Sequence, residues 1–274
     1  MALRERDIRE LYRDRAPYEL LQNADDVKAR RAIFVLTRDG LAFAHDGAWF
    51  TVGNFISLAE GWSDKSPKEC IGHKGIGFRS VLDITPAPHV ISIDVRDFFG
   101  FKFAWAVNNG HIQETLRRHP ELADDYRQWT RHGQSACPVM AIPGEAKKNS
   151  IGTGATVFDQ FARQIYGAGF TTLFWFPAHD PDADASVVEE LEISPMTSDE
   201  AGRKRLLQFV EEEVAVLLPF MSHLEEVSVY SGDRLLAKGS ASGNRKIETG
   251  DEVQVHVCAG GQDLRRLREV TILY

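Results

Sequence analysis

Cysteine is scarce in this 274-residue chain: Cys70, Cys137 and Cys258 are odd in number, far apart and never in a CxxC pair. Neither a disulfide framework nor a zinc site is indicated. Long apolar runs are missing too. No stretch approaches the ~20 residues that a bilayer-spanning helix needs, and the opening MALRERDIRELYRDRAPYE is too charged for a secretory signal. Positive charge is not in excess. The formal net charge is −8, so composition advertises no basic surface for nucleic acid. Internal repeats and low-complexity tracts are absent, and the histidines show no HExxH spacing. Asp180, Asp182 and Asp184 begin like an EF-hand loop, but Ala185 stands at the glycine position and Leu191 at the twelfth, so that pattern fails. A soluble cytoplasmic protein without a membrane partner is the expectation that remains. Its 43% apolar content is ample for a packed core.

The periodicities sketch an α+β protein. Ala16-Pro17 offers a helix start, and residues 17–30 read as a helix with Leu20, Leu21, Ala24 and Val27 inward. AIFVLT, the turn Arg38-Asp39-Gly40 and LAFAH form a hairpin. A short helix is expected over 51–61, and a glycine cluster, Gly72–Gly77, opens another through Ser80–Leu82. Strands follow at His89–Val95 and Gly100–Val107; residues 112–131 are polar and helical, and GFTTLFWFP at 169–177 reads as a buried strand. A strong amphipathic helix spans 199–217, and strands run from there to Tyr274. The last of these, REVTILY, leads us to expect a truncated chain or an element whose partner strands are missing.

Three segments carry chemistry. In the first helix Glu19 and Asn23 lie four apart, with Asp26 three beyond, all on one face. A carboxylate there can accept a proton from an attacking water, and the amide oxygen can ligate Mg²⁺, a hard cation that prefers oxygen. Taken alone, such residues on a helix surface are more commonly just solvated. After the hairpin comes HDGAWFT: a carboxylate at Asp46 can accept from an adenine amino group, and Gly47 lets a base approach the backbone, although Asp-Gly is also an ordinary β-turn. The third segment is Gly72-His-Lys74-Gly75-Ile76-Gly77-Phe78-Arg-Ser80. Its glycines allow tight turns, and the helix they open directs N–H groups at an anion. It is neither a P-loop nor a dinucleotide fingerprint, since Phe-Arg follows Gly77 and Ser80 takes the third glycine place.

In this order the three resemble the motifs of the GHKL (Bergerat-fold) ATPase superfamily: ELLQNADD the N-box, HDGAWFT the first glycine motif, GHKGIGFRS the second. GIGFRSVLDIT followed by DFFGFKFAW looks like the sacsin-type, heat-shock-ninety-like branch, and Thr172 in GFTTLFWFP falls at the superfamily's threonine. The resemblance covers roughly residues 10–180. It implies a two-layer α/β sandwich of mixed, mostly antiparallel sheet with helices on one face. The ATP-binding domain would span 1–195, with a lid at about 53–72 and an insertion at about 110–156; 196–274 would begin a smaller α+β segment. It further implies ATP and Mg²⁺ as cofactors, Glu19 as general base, Asn23 as the metal ligand and Asp26 as a structural or water-bridging acid. Gly72, Gly75, Gly77 and the backbone near Ser80 would line the phosphates, with Ile76 and Phe78 counted in the same cofactor-binding turn, and Thr172 would touch the water network beside adenine. Lys74, next to these glycines, can pair with a phosphate oxygen or be simply a solvated surface lysine. One departure is visible. Aligned on Gly47 and Phe50-Thr51, the family's adenine-reading aspartate falls at His45, with Asp46 one residue late; either one takes the role, or base selectivity is looser.

The expected function is slow Mg-dependent ATP hydrolysis coupled to conformational change, in the N-terminal module of a larger chaperone-like or defence and DNA-processing protein. A homodimer through the N-terminal region or lid and further domains downstream are the implied partners. The alternatives are an ATP-dependent binding switch without turnover and a histidine-kinase-like catalytic domain. A kinase is disfavoured because Asp25-Asp26 stands where kinases usually carry a basic residue.

Overall fold

Arg31–Thr37 (β1) is apolar at nearly every position, and Gly40–His45 (β2) returns antiparallel to it across the two-residue turn Arg38-Asp39. A strand with no polar alternation must be covered on both faces. Around this pair a computed structural model builds an α+β fold. It describes residues 14–51, 53–54, 58, 77–93, 98–103, 114, 116–124, 127, 143–145, 163–179, 192–242, 252–259 and 266–273. Gly72, Lys74, Gly75 and Ile76, most of the expected lid 53–72 and most of the expected insertion 110–156 lie outside the described residues.

The remaining strands are β3 (His89–Ile93), β4 (Phe98–Phe103), β5 (Pro143–Glu145), β6 (Thr172–Pro177), β7 (Glu226–Ser231), β8 (Arg234–Ser242), β9 (Glu252–Ala259) and β10 (Arg266–Leu273). They form one ten-stranded sheet in the order β10-β9-β8-β7-β1-β2-β6-β3-β4-β5. Every pairing is antiparallel except β1 with β7. The mixed, mostly antiparallel expectation therefore holds. The strands after residue 195 extend the same sheet, through that parallel step.

One face carries the helices α1 (Ala16–Asp26), a 3₁₀ helix Gly77–Asp83 and α2 (Glu200–Phe209), which continues as a π-helical turn, Val210–Val214. Leu20, Leu21, Ala24, Phe78, Val81, Leu206, Val210 and Val214 pack there against Phe34, Leu41, Phe43, Phe174 and Phe176 of the sheet. The opposite face is not bare, which differs from the expectation of helices on one side only. Ile165, within the helical residues 163–167, and Phe170 cover Ile33, Val35, Ala42, Leu173 and Trp175. The reason is the unbroken apolar character of β1 and β6, whose outward side chains also need removal from water.

Helix α1 is shorter than the 17–30 read from periodicity. It stops at Asp26 because Lys28 turns left-handed, with φ of 61°. The amide of Ala29 then reaches the carbonyl of Ala24 at 3.0 Å, and that of Lys28 the carbonyl of Asp25 at 2.9 Å. This is a Schellman-type ending made without glycine. The described parts of the next two strands are β3 at His89–Ile93 and β4 at Phe98–Phe103, which starts two residues before the expected Gly100; residues 94–97 and 104–107 lie outside the described residues.

Candidate functional site

The stripe Glu19, Asn23, Asp26 runs along α1 as the four-then-three spacing dictates, because all three residues fall within Ala16–Asp26. Glu19 is buried, at 8% exposure, while Asn23 and Asp26 are half-buried. Burial pushes the Glu19 carboxyl above its ordinary range; Arg15 opposes this and Asp26 adds to it. Across from it lies the start of the 3₁₀ helix. Gly77 sits so close that any Cβ there would collide with the Glu19 carboxylate. A larger residue there would push the Glu19 side chain away from this turn. The last glycine of the third motif and the first acid of the N-box-like helix are thus neighbours. Beyond Gly77, Phe78 packs its ring 5.3 Å from that of Phe174, and the Ser80 hydroxyl is fully buried with no hydrogen-bond partner. Arg79 fastens the same turn to the carbonyl of Leu58.

The sheet contributes a second set of polar groups. Strand β2 places Leu41 and Phe43 against the helices, and His45 is in phase with them. Thr172 pairs directly with His45 on one side and Ser92 on the other. Thr172 is in phase with Phe174, and Ser92 with Val90, both on the helix-covered face. His45, Thr172 and Ser92 therefore form a row across three adjacent strands, on the same side as Glu19. All three are buried. The Thr172 oxygen accepts from the Phe50 amide at 3.1 Å, whereas His45 Nδ1 and Ser92 Oγ have no partner. Desolvation holds the His45 imidazole neutral, with its pKa lowered to about 4; the neighbouring Asp46 works weakly against that.

Asp46 itself points elsewhere. Its carboxylate accepts from the Arg30 and Arg31 amides, both at 2.8 Å, and from Arg31 Nε at 2.9 Å. Those contacts outweigh its desolvation and lower its pKa. Of the two residues left open as base readers, His45 is the one on the helix-covered face; Asp46 ties the hairpin end to the chain entering β1. Gly47 has an equally local explanation. A Cβ on it would come within 2.6 Å of the Val27 carbonyl and 2.8 Å of the Ala29 amide, so it permits close packing on the end of α1. Thr171 closes the same turn, donating its hydroxyl to the carbonyls of His45 and Gly47 at 3.2 and 2.5 Å.

Two residues that sequence reasoning passed over stand out. Asp25 is buried and accepts from the amides of Ser222, His223 and Leu224 at 2.8, 2.6 and 2.8 Å, anchoring α1 to the entry of β7. Ser92 was hidden in HVISI, where its phase with Val90 was the available signal. Neither Glu19 nor Gly77 lines the clefts at Arg30, Arg31 and Glu225 (about 510 Å³) and at Asp14, Asp83 and Arg205 (about 600 Å³). The first is lined by charges already paired, Arg30 with Glu225 and Arg31 with Asp46.

Among the described residues no group of three or more His, Cys, Asp and Glu side chains is gathered as for a metal cage, and no helix is long and apolar enough to cross a membrane. No known family's sequence model matches the chain. It is similar to Protein NO VEIN of Arabidopsis thaliana, with 27% identity over 188 residues. That alignment takes in 66% of this chain but only 6% of the relative, so the chain spans a small fraction of that protein's length.

Proposed function

We propose that this chain is a nucleotide-binding domain of the GHKL type, taking ATP with Mg²⁺ and hydrolysing it slowly in step with a conformational change. The observation that carries the reading is the contact of Gly77 with the Glu19 carboxylate. It joins the end of the glycine motif to the stripe that holds the acid and the amide. The buried, unpartnered His45 Nδ1, Ser80 Oγ and Ser92 Oγ add weight, since buried polar atoms left without partners are uncommon in finished cores. A polar ligand would satisfy them.

In this reading each residue has a defined task. Glu19 accepts the proton of the water that attacks the terminal phosphate; its raised pKa makes it a stronger base than an exposed glutamate. Asn23 offers one neutral oxygen to Mg²⁺. That suits an ion that keeps several waters and takes its remaining ligands from phosphates, and it needs no cage of carboxylates. The metal would supply neutralisation of phosphate charge. Asp26 would serve as a structural or water-bridging acid on the same helix face. Gly72, Lys74, Gly75, Ile76, Gly77 and Phe78 would cradle the phosphates, and Thr172 would hold the base side of the pocket. Positioning and electrostatics provide most of the acceleration in phosphoryl transfer. A cytoplasmic location, downstream domains and a homodimer through the N-terminal region or lid belong to the same proposal.

The test compares nucleotide binding with phosphate release. Glu19→Ala is expected to keep ATP binding and lose hydrolysis. Unchanged turnover removes Glu19 from the mechanism, and a wild-type chain that binds no nucleotide at all removes the proposal. Binding without any phosphate release identifies the switch alternative instead.

A further inference from the structure

From the polar row His45–Thr172–Ser92 we infer that the proposed nucleotide site reads its base through groups able both to donate and to accept, and so takes guanine as well as adenine nucleotides. The inference rests on the nucleotide-binding reading above and names its substrate class.

The argument concerns hydrogen-bond capacity. An ionised carboxylate only accepts, so a carboxylate at a base edge welcomes the 6-amino group of adenine and repels the 6-oxo group of guanine. No carboxylate stands in this row. Asp46, the nearest in sequence, is occupied by two amides and the Arg31 guanidinium. A neutral imidazole presents either an N–H or a bare nitrogen at Nδ1, according to tautomer. Burial keeps His45 neutral, so both forms are accessible to the free Nδ1. The Ser92 hydroxyl is also without a partner and can rotate to give or take a proton. Thr172 receives the Phe50 amide on its oxygen, which leaves its own O–H to donate. Discrimination between bases arises when the wrong one leaves a buried group unpaired. A row that re-pairs with either edge leaves nothing unpaired, and discrimination is lost.

Binding of Mg-ADP and Mg-GDP to the purified chain, measured by calorimetry, tests this. The wild-type dissociation constants are expected to agree within about threefold, and His45→Asp to favour ADP by at least about tenfold. His45→Gln, whose amide also donates and accepts, is expected to keep the wild-type ratio. A wild-type preference for ADP beyond about tenfold overturns the inference while leaving the nucleotide site standing; so does a ratio unmoved in His45→Asp. If the buried aspartate prevents folding, the wild-type ratio decides alone. Binding of neither nucleotide sinks the site and the inference together.

Discussion

The molecule treats its buried polar groups in two opposite ways. Below α1, where the chain enters β1 and β7, every acid is satisfied: Asp25 by three amides, Asp46 by two amides and a guanidinium. Above the sheet, between α1 and the β2–β6–β3 strand ends, His45, Ser80 and Ser92 each keep a buried atom unpaired, and burial raises the Glu19 carboxyl. The first region spends its hydrogen bonds on holding segments together. The second withholds them. Saturated polar groups fasten segments together, whereas each unpaired buried polar atom calls for an explanation, which the proposed ligand would supply.

The largest effect that would sharpen this contrast is at Asp25. Asp25→Ala leaves three amides without their acceptor and is expected to cost about 4 kcal/mol in urea unfolding, since hydrogen bonds to charged groups are individually strong. Glu19→Ala should cost far less. Equal losses at both sites would erase the distinction.

Next comes acid stability. The His45 pKa is lowered from 6.5 to about 4, so between those values the unfolded chain binds more protons than the folded one. Stability is therefore expected to fall as pH drops through that window, by about 3 kcal/mol from this residue. His45→Leu should flatten that part of the stability profile. Asp46 works at lower pH. Its pKa is depressed, so its contribution is present above the ordinary carboxylate value and fades as pH falls through the folded one.

The Glu19–Gly77 contact makes a third test. Gly77→Ala is expected to destabilise by about 2 kcal/mol through overpacking. In a Glu19→Ala background the penalty should shrink below about 1 kcal/mol, because the colliding carboxylate is gone. Additive losses would mean that the two segments do not press on each other.

The smallest expected effect is at Lys28, which holds a left-handed conformation at the end of α1. Lys28→Gly should stabilise by up to about 1 kcal/mol and leave nucleotide binding untouched.

Much of the sheet was legible because its strands announce themselves. β1, β2 and β6 are short apolar runs bounded by turn residues, and the Arg38-Asp39-Gly40 turn fixes the hairpin register. The Glu19–Asn23–Asp26 stripe followed from helical spacing alone. What stayed hidden depends on contacts distant in sequence. Nothing near Asp25 says that it will receive amides about two hundred residues later, and an Asp-Gly pair cannot reveal that Asp46 faces away while His45 faces the helices. The end of α1 was misjudged for a related reason: residues 27–30 suit a helix, but the turn at Gly47 must pack against Val27 and Ala29, and the helix yields there. Covering of the second face by Ile165 and Phe170 came from demand rather than pattern.

The single parallel step has a consequence for how the polypeptide is made. β1, at residues 31–37, waits for a neighbour at 226–231, so its outer edge stays open while nearly two hundred further residues leave the ribosome. Such late closure means high contact order and slow folding, with an apolar strand edge available to any other nascent chain meanwhile. A fragment ending before Glu226 would never close it, and we expect such a fragment to aggregate even though every residue proposed to contact nucleotide precedes the cut.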